Sequence, residues 1–261
     1  MTGKKGNELR EKIQSGERVY GTFIGITDVQ ITHLFAQLGF DYLIIDNEHS
    51  AINPETLQQM LLMFEGTETC PIVRVPWHEP GWSKWALDFG AEGIMFPNVS
   101  TPEMAQQVVS NCKYPPEGSR GFFPKTASNF LLNMDEYMEG INDRILVWPQ
   151  IEHIDAVNCL PDILKVPGID AIYVGPADLS NSLGILNDYE NPLFWETLNR
   201  IFGEARKKSV AAAFHLYDTS VEVLEKLPVD VRILSFGFDF IFARLGAQNT
   251  LKGVKEVLGS H

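Results

Sequence analysis

The stretch Phe40-Asp41-Tyr42-Leu43-Ile44-Ile45-Asp46-Asn47-Glu48-His49 decides the fold. Tyr42 to Ile45 run without a polar break, the pattern of a strand buried on both faces of a parallel sheet. The run then stops in Asp46, Asn47, Glu48 and His49. In a barrel, catalytic side chains sit where buried strands end at their carboxyl termini. His49 so near Asp46 also gives an imidazole with a carboxylate to orient it, as a general base needs. An acidic cluster after a strand equally suits a helix cap or a solvated turn, and the rest of the chain discriminates between these.

Outward from this strand, the pattern repeats. Residues 7–15 read as a short amphipathic helix with Leu9 and Ile13 on one face, and residues 19–25 as a first strand. Ile31, Leu34, Phe35 and Leu38 recur at helical spacing, closed by Gly39 in a position that favours a left-handed cap. Asn53-Pro54-Glu55 opens the next helix with proline in its first turn. Further strands are expected at 71–75, 93–97, 145–151, 169–174, 210–214 and 231–236. Helices are expected at 82–89, 102–111, from 153 through 164, at 192–208, between the last two strands, and from 240 onward. Residues 114–143 are rich in Pro and Gly at their start and read as the longest irregular stretch, a feature usually tied to function or disorder.

Eight strand–helix pairs in 261 residues predict an α/β fold, a single-domain (β/α)8 TIM barrel over residues 1–261. An open doubly wound sheet is the competitor. It usually carries a glycine-rich phosphate turn after its first strand, whereas residues 22–27 hold only Gly25.

Composition narrows the function. The formal net charge is −13, from 21 basic and 34 acidic residues, which argues against nucleic acid or an anionic membrane as partner. A few local cations or a metal can still receive a small anionic substrate. Cys70, Cys112 and Cys159 have no ligand spacing and read as reduced thiols, so a cytoplasmic location is expected. The first residues lack the apolar core of a signal peptide, and no segment has the length of a membrane span.

On the barrel reading, polar side chains converge at one rim: Asp46, Glu48 and His49 after the second strand, Arg74 after the third, Gln150 and Glu152 after the fifth, and Asp178 after the sixth. Singly, Arg74 suits an ion pair, Glu152 a helix cap and Asp178 a turn; together they read as an active site. Glu152 and Asp178 make a hard oxygen pair suited to Mg²⁺ or Mn²⁺. Arg74 would face an oxygen on which negative charge develops. No lysine is expected at a strand end, which disfavours imine chemistry. His215 is expected at the same rim as a satisfied structural residue.

Six segments carry a family resemblance: Ile45-Asp46-Asn47-Glu48-His49-Ser50, Val73-Arg74-Val75-Pro76, Leu87-Asp88-Phe89-Gly90-Ala91, Tyr114-Pro115-Pro116-Glu117-Gly118-Ser119-Arg120-Gly121, Gln150-Ile151-Glu152 and Gly175-Pro176-Ala177-Asp178-Leu179-Ser180. In this order and nearly along the whole chain, they resemble the HpcH/HpaI aldolases, metal-dependent pyruvate aldolases that include 4-hydroxy-2-oxoheptanedioate and 2-keto-3-deoxy sugar-acid aldolases. The resemblance implies a divalent cation (Mg²⁺ or Mn²⁺, with Co²⁺ as a further option) on Glu152 and Asp178, and a 2-oxo acid as substrate. It implies Arg74 on the keto or enolate oxygen and His49, oriented by Asp46, as base. It also implies Gln150 behind the ligands and backbone at Gly175, Pro176 and Ala177 around the pyruvate carboxylate. A homo-oligomer follows, a hexamer built as a trimer of dimers, with Asp88 completing a neighbouring subunit's site.

Two departures from the family pattern stand out. Asn47 takes a place usually held by Gly, and Phe122-Phe123-Pro124-Lys125-Thr126 replaces a run of small residues with an Arg. The second falls where the aldehyde portion is expected, so Phe122, Phe123 and Trp148 read either as substrate contacts or as core and subunit contacts. A β-keto acid decarboxylase acting on oxaloacetate would use the same site without a hydroxyl-deprotonating base. Cleavage of acyl-CoA lacks a basic cluster for the CoA tail, and a catalytically dead binding barrel is disfavoured because every matched polar position is filled.

Overall fold

In a computed structural model of the chain, residues 4–217 and 219–259 are described; residue 218 and the two ends of the expected span 1–261, the first residues of the chain among them, lie outside these. The elements follow in the order α1 (Lys4–Ser15), β1 (Val19–Ile24), α2 (Val29–Ala36), β2 (Tyr42–Asp46), α3 (Pro54–Leu62), β3 (Cys70–Arg74), α4 (Pro80–Phe89), β4 (Gly93–Phe96) and α5 (Pro102–Cys112). Then come α6 (Met134–Met138), α7 (Ile141–Arg144), β5 (Leu146–Pro149), α8 (Ile154–Ile163), β6 (Ala171–Val174), α9 (Pro176–Ser182), α10 (Pro192–Lys207), β7 (Ala211–Leu216), α11 (Val221–Lys226), β8 (Ile233–Phe238) and α12 (Asp239–Leu258).

The strands form one parallel 8-stranded sheet in the order β5-β4-β3-β2-β1-β8-β7-β6. Its two edges meet through a parallel bridge between Gln150 and Tyr173 and the Ile151 N–H bond to the Tyr173 carbonyl (2.8 Å). The sheet therefore curls into the (β/α)8 barrel. Parallel strands need helical crossovers, and these cover its outer face.

Two apolar clusters result. The outer one lies between strands and helices; the inner one fills the barrel with side chains such as Phe23, Tyr42, Ile44, Met95, Trp148 and Tyr173. Leu9 and Ile13 of α1 pack against the inner cluster, so this helix closes the amino end of the barrel. Gly21 makes room for the Tyr42 ring, because a Cβ there would stand 2.3 Å from it. Trp148 is fully buried, edge-on to Tyr42 with centroids 5.3 Å apart. Of the two readings open to it, core is the one the fold adopts, while Phe122 and Phe123 are exposed.

The helix starts follow local chemistry. Asp28 accepts N–H bonds from Gln30 and Ile31, Asn53 from Thr56, and Thr101 from Met104. The stretch expected to be irregular up to Asp143 is a correction in part. It contains α6 and α7, and Asn142 pins it by bonding both backbone groups of Tyr114 (2.7 and 2.9 Å). These bonds join residues far apart in sequence, which no local pattern carries.

One helix behaves differently. α12 is 20 residues long, yet Asp239 is its only buried residue. Leu251, Val254 and Leu258 lie exposed at helical spacing along one side.

Candidate active site

A cavity of about 1020 Å³ has His49, Arg74, Gln150, Glu152, Asp178 and His215 in its lining at the carboxyl ends of the strands and extends along β1, β8 and α12 as far as Arg18. Gly175, Pro176 and Ala177 also border it. Asp46 stands one layer below, buried at the end of β2.

Asp46 and Arg74 form the floor. Their strands pair so that the two residues lie side by side. The Asp46 carboxylate accepts from Arg74 Nε (2.9 Å) and Nη2 (2.8 Å), and its Oδ1 also takes the backbone N–H of Glu48 and His49 (3.2 Å each). Arg74 Nη1 pairs with Glu48 (3.2 Å), and the guanidinium lies 4.8 Å above the Phe23 ring. A guanidinium has five N–H donors. Three face Asp46 and Glu48, which leaves one on each terminal nitrogen for a ligand oxygen.

This geometry corrects the expectation that Asp46 orients the His49 imidazole. Asp46 is committed to Arg74, and the charged neighbour of His49 is Glu48, with Nε2 3.5 Å from its carboxylate. The reason is reach. A bidentate fork satisfies a buried carboxylate better than a single imidazole contact, and the turn after β2 leaves the His49 side chain 62% exposed.

Glu152 lies opposite. Its Oε1 accepts the Asn98 N–H (2.7 Å) and its Oε2 accepts from the Gln150 side-chain amide (2.9 Å). Burial, with Asp178 and Glu48 adding negative charge, pushes its carboxyl up to about 7. Glu152 does not cap the following helix, because His153 does so. Asp178 lies in the first turn of α9, whose N-cap is Gly175 and not this carboxylate. Both simple structural roles are thus taken by other residues or unfilled.

The pair fits a hard divalent cation on three counts. The carboxylates raise one another's energy without a cation between them. A Cβ on Gly175 would stand 2.5 Å from Glu152 Oε2, so glycine keeps this side of the carboxylate open. The buried Oε1 of Gln150 has no partner among the described residues. Among the described residues no group of three or more His, Cys, Asp or Glu gathers as a closed cage. Two carboxylates leave remaining positions to water and substrate. No lysine lines the cavity.

Asp88 lies elsewhere. It is buried on α4, held by Arg120 (2.7 Å) and Lys84 (2.5 Å), and it does not line this cavity. Sequence reasoning missed the Asn98 N–H, whose residue has φ +48°, and the Phe23 ring beneath Arg74. Neither carries a signal, since one is a backbone group and the other an ordinary strand aromatic.

A parallel barrel with two acids, an arginine and a histidine lining one cavity at its carboxyl rim is the architecture of an enzyme. A family model for HpcH/HpaI aldolase/citrate lyase matches residues 19–242, and the chain belongs to that family. It is 29% identical to a 4-hydroxy-2-oxo-heptane-1,7-dioate aldolase of Salmonella dublin over 96% of this chain and 99% of the relative. The structure of an HpcH/HpaI aldolase from Desulfitobacterium hafniense superposes with a TM-score of 0.89 at 30% identity, covering 97% of this chain and 98% of the other. A citrate synthase, SbnG, gives a TM-score of 0.81 at 29% identity, with 95% and 98% covered. No described helix is long and apolar enough to cross a membrane.

Proposed function

We propose that the chain is a divalent-metal-dependent aldolase that cleaves a 4-hydroxy-2-oxo acid into pyruvate and an aldehyde. The observation that carries this reading is the pair Glu152 and Asp178 lining one cavity with Arg74, where Glu152 is poised near neutrality by burial and neighbouring acids. Glu152 and Asp178 would hold the cation, Mg²⁺, Mn²⁺ or Co²⁺, which as a Lewis acid draws electron density from the keto group.

The chain's own residues account for the remaining steps. The first-turn N–H groups of α9, at Ala177 and Asp178, have no intrahelical acceptor and suit the substrate carboxylate; Pro176 contributes none. Arg74 turns its two remaining N–H donors to the C2 oxygen. His49 takes the proton from the C4 hydroxyl, the C3–C4 bond breaks, and its electron pair moves into the C2–C3 bond as the C2 oxygen gains charge beside Arg74. Protonation at C3 gives pyruvate. Asp46 and Glu48 hold the guanidinium in place, and Gln150 and the Asn98 N–H hold Glu152.

Assembly into a homo-oligomer, a hexamer on the family pattern, is part of this reading. The bare apolar side of α12 supports it. Three unpaired cysteines support a reducing, cytoplasmic setting.

The test is pyruvate release from a panel of 4-hydroxy-2-oxo acids and from oxaloacetate, with EDTA or with added Mg²⁺, Mn²⁺ or Co²⁺. Metal-dependent release from a hydroxy-oxo acid, reduced at least 100-fold in Glu152→Gln and Asp178→Asn, is the expected result. Release from oxaloacetate alone would make the enzyme a decarboxylase. Release that EDTA leaves untouched would overturn the metal site.

A further inference from the structure

His215 is the last residue but one of β7, lines the cavity and has no part in the reaction just described. Its register partner is Ser235 of β8. The imidazole is edge-on to Phe23 (5.3 Å between centroids) and to Phe238 (5.5 Å), and its Nδ1 is 2.9 Å from Ser235 Oγ, which also meets the Tyr173 hydroxyl. These contacts fix the ring. Nδ1 is occupied, and Nε2 has no partner among the described residues. Burial, with the Arg74 guanidinium adding to it, lowers the imidazole to about 4, so the ring is neutral at pH 7.

A fixed, neutral imidazole offers one donor or one acceptor at Nε2, according to its tautomer. A hydroxyl group satisfies either, because it can donate and accept. A carboxylate or ketone satisfies only the donor form.

The position of the ring selects the part of the substrate. Arg74 on β3, Glu152 after β5 and the turn after β6 are engaged with the pyruvate half in the proposed reaction. The wall formed by β7, β8 and β1 is left for the acceptor half; it is otherwise apolar, from Phe23, Leu216, Leu234, Phe236 and Phe238, with Tyr189 and Tyr217 lining the cavity from neighbouring loops. The cations lining the cavity are Arg18, which precedes β1 at the amino end, and Arg74, already paired with two acids. A second carboxylate on the acceptor would find no free cation at this wall among the described residues.

We propose that His215 is a specificity residue whose Nε2 hydrogen-bonds a hydroxyl on the carbon next to the acceptor's carbonyl, so that the enzyme favours short hydroxyaldehydes. This rests on the aldolase reading. The test runs the full chain in the bond-forming direction with pyruvate, Mg²⁺ or Mn²⁺, and either glycolaldehyde or propanal. The two acceptors have the same number of heavy atoms and differ by a hydroxyl in place of a methyl. Their ratio of kcat/KM is independent of how much of a preparation is folded.

The wild-type ratio is expected to exceed about 10, the worth of one hydrogen bond of about 1.4 kcal/mol. His215→Asn keeps the Nδ1 half of the ring and loses Nε2, so its ratio should fall about tenfold, as in His215→Leu. His215→Gln, which reaches the Nε2 position, should recover part of it. A wild-type ratio near 1, or a ratio in His215→Asn within twofold of wild type, overturns the proposal and leaves the aldolase reading standing. Absence of bond formation with both acceptors overturns the aldolase reading and this inference with it.

Discussion

At the scale of single residues, Arg74 is the hinge of the site. It is buried between Asp46, Glu48 and the Phe23 ring, and a buried charge must be paired or it becomes costly. Lysine carries the same charge but cannot form the bidentate fork and reach a third group. Arg74→Lys is therefore expected to lower kcat/KM by about 10²–10³-fold, the range for losing an oxyanion donor. It should also destabilise the fold by ~1–3 kcal/mol, because the Asp46 and Glu48 carboxylates lose partners. Steady-state kinetics and urea unfolding measure both. Activity within threefold of wild type would remove Arg74 from the oxyanion role. The site residues were legible as types: two acids, an arginine and a histidine. Their pairing was not, since the Asp46 carboxylate meets the Arg74 side chain across two neighbouring strands and not the imidazole of His49 three residues away in sequence.

At the scale of elements, the turn from β6 into α9 carries most of the site's economy. Gly175 is the N-cap, Pro176 fills the first helical position, and Asp178 stands in the first turn. Gly175 has φ −88°, an angle any residue adopts, so the glycine is there for space. Its missing Cβ is what lets Glu152 lie against the turn. Gly175→Ala is expected to keep the thermal midpoint within a few degrees while weakening Mn²⁺ binding and lowering activity at least 100-fold, read by calorimetric titration and pyruvate release. Unchanged metal affinity would show that Glu152 can move aside freely. The Gly175-Pro176-Ala177-Asp178 motif was readable in sequence as a site. Its dependence on a carboxylate from the preceding strand end was not, because that contact exists only once β5 and β6 close the barrel.

At the scale of the whole molecule, the barrel is complete in its strands and unfinished on its surface. The start of α12 packs back on the barrel, with Phe242 against the outer apolar cluster, while further along Leu251, Val254, Val257 and Leu258 lie exposed. Contiguous exposed apolar surface of this kind marks an association site. The chain should therefore run well above its 29.3 kDa monomer mass in multi-angle light scattering, at six times that mass on the family pattern. Leu251→Asp combined with Val254→Asp should shift it to smaller species. A wild-type monomer would remove the oligomer from the functional reading, and with it any part for Asp88 in a neighbour's site.

The sequence by itself determined the order of strands and helices, because buried parallel strands and amphipathic helices write their periodicity into adjacent residues. It also determined which strand ends carry charge, and the family motifs in register with them. Only the tertiary structure decided which charged groups share a hydrogen bond, that Trp148 fills the barrel while Phe122 and Phe123 stay outside, and that His215 lines the cavity with its Nδ1 held by Ser235. Each of these depends on distances between residues far apart in the chain. Closure of the sheet sets those distances, and local pattern does not contain them.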